Sequence, residues 1–140
     1  MMMKSDRSVL SSMFRMTRYV TGMRNVSSSR HVMATYQVQS EEEFQQKVVN
    51  GKKPTVVDFS ATWCGPCKLL TPRLDAAIAT SEEEVDLAIV DIDQLEDIAF
   101  DNGVQTVPTV IGFKNGQVVD RFVGLVDEDK LTSFINKLRE

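Results

Sequence analysis

The sequence is poor in two residue types from which many protein sites are built. It has two cysteines and one histidine in 140 residues, and the histidine, His31, lies near the start of the chain. A disulfide-stapled secreted domain would carry more cysteines, spread along the chain. A zinc site would need a second ligand pair, and a Cys–His nucleophile pair would need a histidine in the folded body. The sequence therefore predicts no metal site.

A long apolar run and a phosphate-binding glycine loop are also missing. No stretch approaches about 18 consecutive apolar residues, the length of a membrane-spanning helix, so we expect no stable membrane association of the mature protein. No glycine-rich dinucleotide loop follows a predicted strand. Residues 34–140 carry ten basic and nineteen acidic side chains. Such an acidic body repels phosphate groups, which argues against nucleic acid as a partner.

The first 33 residues differ in composition from the rest. They contain seven serines, five arginines and one acidic residue, a composition typical of an organelle transit peptide. On a helical projection, apolar side chains from Val9 to Met23 gather on one face, opposite most of the arginines. We therefore predict a cleaved mitochondrial transit peptide at 1–33 and a domain at 34–140 in the mitochondrial matrix. A disordered tail and a secretory signal are the alternatives, although Arg15 and Arg18 interrupt the apolar stretch of a secretory signal.

From Tyr36 onward the pattern predicts the order βαβαβα followed by ββα. The predicted strands are Tyr36–Val38, Thr55–Phe59, Val85–Ile92, Thr109–Phe113 and Val118–Val123. The predicted helices are Ser40 to about Val49, Cys64 to about Ala79, Leu95–Phe100 and Asp127 to the end. Parallel strands with helical crossovers should come first, and Asn115-Gly116 predicts a hairpin that adds an antiparallel edge. We expect an α/β fold: a single domain with a central mixed sheet flanked by helices.

The run Trp63-Cys64-Gly65-Pro66-Cys67 stands between a predicted strand and a predicted helix. Disulfide exchange needs an attacking thiolate and a second thiol that resolves the mixed disulfide. At a helix amino terminus, free amide donors stabilise the thiolate of the first cysteine, and the second lies within reach. We expect Cys64 to be open to solvent and Cys67 to be shielded. There are two alternatives for this pair of cysteines. They could form half of a metal site, although the sequence lacks the second ligand pair, or they could be inert thiols in the core.

Asp58 lies within a predicted buried strand, six residues before Cys64. A buried carboxyl group costs free energy unless it has a partner or a task, so its position invites a functional interpretation. A carboxylate turned toward a local backbone donor is the structural alternative.

The chain resembles the thioredoxin family over roughly residues 36–139, and thioredoxin is the standard example of this cysteine motif. The residues that carry the likeness are Asp58-Phe59, Ala61-x-Trp63-Cys64-Gly65-Pro66-Cys67-Lys68, Pro72, Thr106-Val107-Pro108-Thr109, Phe113-Lys114-Asn115-Gly116 and Val123-Gly124. Together they are far more specific than a Cys-x-x-Cys motif alone. With the leader included, the resemblance is to the mitochondrial members of the family.

The resemblance implies a role for each member of the catalytic group. Cys64 would be the attacking thiolate, Cys67 the resolving thiol, and Asp58 a buried acid that helps to deprotonate Cys67. Two positions depart from the family pattern. Ser60 stands where many members have a tryptophan, and Ile89 stands where many have a lysine near the buried aspartate, which should leave the pKa of that aspartate higher.

The resemblance also implies how a protein substrate is held. Pro108 would follow a cis peptide bond, and the backbone near Val107 would pair with an extended substrate strand. The implied docking rim consists of Trp63, Gly65, Pro66, Val107 and Gly124. A plain packing role is the alternative for Trp63.

The implied activity is that of a protein disulfide reductase without a bound cofactor. Its electrons would come from NADPH through thioredoxin reductase, a separate flavoenzyme. Its substrates would be peroxiredoxins and other disulfide-containing proteins. A disulfide oxidant or isomerase is an alternative, although those relatives usually carry histidine where Pro66 stands. A non-catalytic binding module built on the same fold is another.

Overall fold

The computed structural model describes residues 34–82 and 84–140, so the predicted transit peptide lies outside the described residues. The elements are β1 (Thr35–Gln37), α1 (Glu41–Phe44), a π-helical segment (Gln45–Val49), β2 (Thr55–Ser60), α2 (Gly65–Ala79), β3 (Asp86–Asp91), α3 (Glu96–Asp101), β4 (Thr109–Lys114), β5 (Gln117–Val123) and α4 (Glu128–Arg139). This order is the predicted one, and the predicted α/β fold class is confirmed.

The five strands form one mixed sheet in the order β1-β3-β2-β4-β5. The first three of these strands run parallel to one another, whereas β4 runs antiparallel to both β2 and β5. The chain turns between β4 and β5 at Asn115 and Gly116, whose φ angles are 54° and 78°. Positive φ at both residues is what a two-residue hairpin turn of type I′ requires. The antiparallel edge is therefore confirmed.

The central strand β2 separates two apolar cores. Val57 and Phe59 pack on one face of the sheet, with buried residues of α1 and α3. Val56 packs on the other face, with buried residues of α2 and α4. Because successive side chains of a strand point to opposite faces, Asp58 also faces α2 and α4.

The first helix differs from the prediction in its winding. The Ser40 hydroxyl accepts a hydrogen bond from the Glu43 backbone N–H at 3.1 Å, as an N-cap does. After Phe44 the turns widen into a π-helix, in which the Asn50 N–H donates to the Gln45 carbonyl at 2.8 Å. Phe44 and Val48 are buried. Their spacing of four residues suits an α-helix and a π-helix alike, so periodicity could not separate the two.

The helix after the cysteine motif follows the prediction closely. Cys64 is its N-cap residue, Pro66 lies in its first turn, and the helix continues through Pro72 to Ala79. Proline is well tolerated in a first turn because its missing N–H would have no partner there. The buried side chains recur every three or four residues and are Cys67, Leu70, Leu74 and Ile78. This buried stripe fixes the cysteine end of the helix against the sheet.

Neither a membrane-spanning helix nor a metal-binding cluster occurs in the part of the chain that the structure describes. No helix within 34–82 and 84–140 is long and apolar enough to cross a bilayer. Within the same ranges, no group of three or more His, Cys, Asp or Glu side chains is placed to hold a metal ion.

Candidate active site

Cys64 and Cys67 are joined by a disulfide bond at the amino end of α2, with their Cα atoms 5.3 Å apart. The backbone N–H of Cys67 donates a hydrogen bond to Cys64 Sγ at 3.2 Å. A negative charge on this sulfur in the reduced protein would lie beside that amide. A first-turn amide and the positive end of the helix dipole both favour negative charge at that point. The predicted relation between the two cysteines and the helix is therefore confirmed.

The sulfur atoms lie against apolar side chains. Cys64 is 4% exposed and Cys67 is 3% exposed. The pair packs with Ala61, Ile92 and Val107. The prediction that Cys67 is shielded is confirmed. The prediction that Cys64 is open to solvent is wrong for the disulfide-bonded protein, because its sulfur is bonded to Cys67 and lies in this apolar cluster.

Asp58 is fully buried beneath α2. Its Oδ2 accepts a hydrogen bond from the Thr71 hydroxyl at 2.6 Å, and its Oδ1 has no hydrogen-bond partner among the described residues. Burial raises the pKa of Asp58 from 3.8 to about 6, opposed by a smaller lowering from the Thr71 hydrogen bond. Its partner is thus a side chain of α2 rather than a local backbone donor. Cys67 precedes Thr71 by four residues and lies on the same side of the helix.

Trp63 is a surface residue next to the disulfide. It is 66% exposed, so it is not a core packing residue, and its indole Nε1 donates a hydrogen bond to Asp93 Oδ2 at 2.9 Å. Gly65 and Pro66, in the adjacent helical turn, are also exposed. Asp93 was not predicted, because it follows β3 and lies 30 residues from Trp63 in the sequence. No local motif signals such a contact.

Val107, Pro108 and Gly124 are brought together where β4 begins and β5 ends. The Val107–Pro108 peptide bond is cis, as the resemblance implies. The Gly124 N–H donates to the Pro108 carbonyl at 2.9 Å, and Gly124 has a φ of 89°. Val107 is half-buried against the cysteine pair. Pro108 is therefore linked to Gly124, and Val107, the residue before it, packs against the cysteine pair.

The carboxyl group of Asp58 makes no hydrogen bond to the other predicted site residues. Neither of its oxygens is hydrogen-bonded to Cys64 or Cys67, and within the described ranges the only hydrogen-bond partner of this carboxyl group is Thr71. Thr71 was not predicted as a site residue. The signal that could have revealed it is its spacing of four residues from Cys67 on the same helix.

The geometry suits one kind of chemistry. Disulfide exchange requires two thiols that can close a disulfide. Here they lie within one helical turn of each other, beside a helix amino terminus. The protein is therefore a dithiol–disulfide oxidoreductase. Its mixed sheet, its flanking helices and the cis bond between Val107, which packs against the cysteines, and Pro108 are those of the thioredoxin fold.

Comparison with known proteins defines the family. The thioredoxin family model matches residues 35–137, and the chain belongs to the thioredoxin family. It is 50% identical over 115 residues to "Thioredoxin, mitochondrial" of Mus musculus, covering 82% of this chain and 69% of that protein. The protein of the same name from Bos taurus is 48% identical over the same shares of the two chains. The protein is thus a protein disulfide reductase with a redox-active cysteine pair, and these relatives indicate a mitochondrial location.

Solved structures agree with this assignment. The thioredoxin of Malassezia sympodialis is 38% identical, with a TM-score of 0.68 over 74% of this chain and 90% of that one. The thioredoxin NaTrxh of Nicotiana alata is 38% identical, with a TM-score of 0.69 over 77% of this chain and 95% of that one. The predicted thioredoxin fold is therefore confirmed.

Proposed function

We propose that Cys64 attacks and Cys67 resolves in the reduction of protein disulfides. The observation that carries the assignment is the hydrogen bond from the Cys67 backbone N–H to Cys64 Sγ at 3.2 Å. The sulfur of Cys64 alone receives this first-turn donor. A thiolate formed there is stabilised by the helix terminus, whereas the sulfur of Cys67 lies farther along the helix.

The reaction proceeds in two exchange steps. The Cys64 thiolate attacks one sulfur of the substrate disulfide; the bond between Cys64 and that sulfur forms, the substrate S–S bond breaks, and the other substrate sulfur leaves as a thiolate. Cys67 then loses its proton and attacks Cys64 Sγ. The Cys64–Cys67 disulfide forms, the mixed disulfide breaks, and the substrate leaves as a dithiol after taking up two protons. Two electrons have passed from this protein to the substrate.

Asp58 is proposed to accept the proton from Cys67 in the second step. A general base works best when its pKa lies near the operating pH. Burial raises the pKa of Asp58 to about 6, which brings it into that range. Because Asp58 is not hydrogen-bonded to Cys67 in the oxidised protein, the proton would pass through a water molecule or after a small movement of the helix.

The substrate is proposed to dock on a rim beside the cysteines. The rim consists of Trp63, Gly65, Pro66, Val107 and Gly124, with Pro108 facing the disulfide. An extended substrate strand would pair with the backbone near Val107, which gives affinity with little dependence on substrate sequence. The exposed indole of Trp63 adds apolar contact area at the edge of this surface.

The proposed electron donor is NADPH, acting through a separate thioredoxin reductase, and the proposed acceptors include peroxiredoxins and other disulfide-containing proteins.

We also propose that 1–33 is a transit peptide, that 34–140 is the thioredoxin domain, and that the domain works in the matrix. A fluorescent protein fused behind residues 1–33 should enter mitochondria and become resistant to protease outside the inner membrane. Cytosolic retention of the fusion would contradict the localisation.

A coupled assay tests the activity and the electron donor together. The full chain is mixed with insulin, NADPH and a mitochondrial thioredoxin reductase, and NADPH oxidation is followed. We expect turnover with the parent protein and none with Cys64→Ser or Cys67→Ser. A protein that reduces insulin with dithiothreitol but not with NADPH and the reductase would contradict the donor alone. A protein inactive with both would be a binding module rather than a reductase.

A further inference from the structure

We infer that Thr71 is a positioning residue for disulfide exchange. Its hydroxyl group holds the Asp58 carboxyl group beneath α2 and favours the charged form of that group, which is the form that can accept a proton. The inference rests on the proposed role of Asp58 as the proton acceptor from Cys67. It goes beyond that role because it assigns a function to a residue outside the motifs that identify the family.

The contact between the two side chains is short and enclosed. Thr71 Oγ1 donates to Asp58 Oδ2 at 2.6 Å, a distance typical of a charge-assisted O–H···O⁻ hydrogen bond. Asp58 is fully buried and Thr71 is half-buried. In the described part of the chain, no other group donates a hydrogen bond to this carboxylate. Removal of the hydroxyl would leave both oxygens without a donor.

The position of Thr71 on α2 connects it to the resolving cysteine. Thr71 follows Cys67 by four residues, so the two side chains lie on the same face of one helix. That face is turned toward β2, where Asp58 lies. One rigid helix therefore carries both the thiol that must lose a proton and the group that orients the proposed acceptor.

No cation supports the Asp58 carboxylate from the neighbouring elements that the structure describes. At the paired register positions, β3 presents Ile89 and β4 presents Val110. The buried face of α4 is apolar and consists of Leu131, Phe134, Ile135 and Leu138. On α2, the only titratable residues on the buried face or at the N-cap are the two cysteines. Among the described residues, Thr71 is thus the side chain that stabilises the charged form of this carboxyl group, through its hydrogen bond.

The effect on the pKa of Asp58 gives the inference a direction. Burial raises that pKa to about 6, and the Thr71 hydrogen bond lowers it. A variant without the hydroxyl should therefore hold Asp58 protonated up to a higher pH. Protonated Asp58 cannot accept the proton of Cys67, so the second exchange step should slow at acidic and neutral pH and recover at higher pH.

A chromogenic disulfide, dithiobis(nitrobenzoate), separates the two steps. When the reduced full chain is mixed with it, attack by Cys64 releases one coloured thiolate and leaves a mixed disulfide. Attack by Cys67 on Cys64 Sγ releases the second thiolate and closes the protein disulfide. Stopped-flow absorbance gives both rate constants as a function of pH. The comparison uses the parent protein, Thr71→Val, Thr71→Ser and Asp58→Asn.

As the pH is lowered, the rate constant of the second phase should fall. We expect Thr71→Val to raise the pH at which this fall occurs by about one unit, the size expected for loss of a hydrogen bond to a charged group. The first phase should not change. Thr71→Ser keeps the hydroxyl and should follow the parent profile. Thr80→Val is the matched control: it removes a hydroxyl from the end of the same helix, where the Thr80 hydroxyl bonds only to the Ala77 carbonyl.

The outcomes separate this inference from the proposed function. If Asp58→Asn slows the second phase while Thr71→Val follows the parent, the role of Thr71 is overturned and that of Asp58 stands. If Thr71→Ser behaves like Thr71→Val, packing rather than the hydroxyl is responsible, and the inference is again overturned. If Asp58→Asn leaves the second phase unchanged, both roles fail. Should Thr71→Val not fold, Thr71→Ala supplies the hydroxyl-free variant with a better helix former.

Discussion

The indole Nε1 of Trp63 donates a hydrogen bond to Asp93 Oδ2 at 2.9 Å, across 30 residues of sequence. Trp63 is two-thirds exposed, and Asp93 lies just beyond the end of β3. A large exposed aromatic side chain has few packing contacts to hold it. This one hydrogen bond therefore fixes the orientation of the indole ring of the residue that precedes Cys64.

Replacing Asp93 with alanine should loosen the indole ring and weaken substrate docking. We expect KM for insulin to rise up to about fivefold with kcat little changed, the effect of losing about 1 kcal/mol of orienting interaction. Trp63 is the only tryptophan in the sequence. The fluorescence anisotropy of the protein therefore reports this ring directly and should fall in the variant. Asp93→Asn keeps an acceptor oxygen and serves as the control. Unchanged anisotropy in Asp93→Ala would show that the hydrogen bond does not hold the ring.

Replacing Asp58 with asparagine should stabilise the oxidised protein at neutral pH. The pKa of Asp58 is raised from 3.8 to about 6 in the folded state, so between these values the folded protein binds more protons than the unfolded chain. Stability is therefore highest below pH 4 with respect to this group and falls as the pH rises toward 6. Above that pH the parent should be less stable than Asp58→Asn by roughly 2–3 kcal/mol.

Denaturant unfolding of the two oxidised proteins at pH 4, 6 and 8 measures this difference. The difference in unfolding free energy between the parent and Asp58→Asn should be absent or smallest at pH 4 and reach its full size at pH 8. Asp120→Asn is the contrasting control, because its hydrogen bond with Lys137 lowers the pKa of Asp120 and the sign of its pH dependence is opposite. A gap between the parent and Asp58→Asn that does not vary with pH would exclude titration of Asp58 as its cause.

Replacing Gly124 with alanine should destabilise the fold through the backbone alone. Its φ is 89°, where residues with a Cβ are strained, yet an added Cβ would meet no heavy atom within 4 Å beyond its chain neighbours. We expect a loss of about 1 kcal/mol of unfolding free energy. Gly65→Ala is the matched control, since its Cβ would also meet nothing within 4 Å and its backbone is helical. Equal stability of the two variants would contradict this explanation.

The sequence predicted the features that depend on nearby residues. Asn115-Gly116 required a tight hairpin, and the β-branched run around Asp58 required a strand buried on both faces, because each depends on local conformation or on alternation. The redox pair was predictable since both cysteines and the helix start lie within four residues. The cis bond before Pro108 was available only from the family resemblance.

Contacts between distant segments were not predictable in the same way. The partner of Trp63 lies 30 residues away, and Thr71 meets Asp58 only because α2 crosses β2 in the folded sheet. The low exposure of Cys64 depends on Ile92 and Val107, which come from other loops. These contacts follow from the topology of the fold. The periodicity of a single chain segment does not predict them.

The central claim is that Cys64 attacks and Cys67 resolves, and trapping the intermediate tests it most directly. The full-length Cys67→Ser and Cys64→Ser proteins are each reduced, incubated with insulin in its disulfide form, quenched with acid and analysed by mass spectrometry. The account predicts that Cys67→Ser accumulates a mixed disulfide through Cys64 and that Cys64→Ser forms little or none. Accumulation of the intermediate through Cys67 in the Cys64→Ser protein, with none in Cys67→Ser, would contradict it.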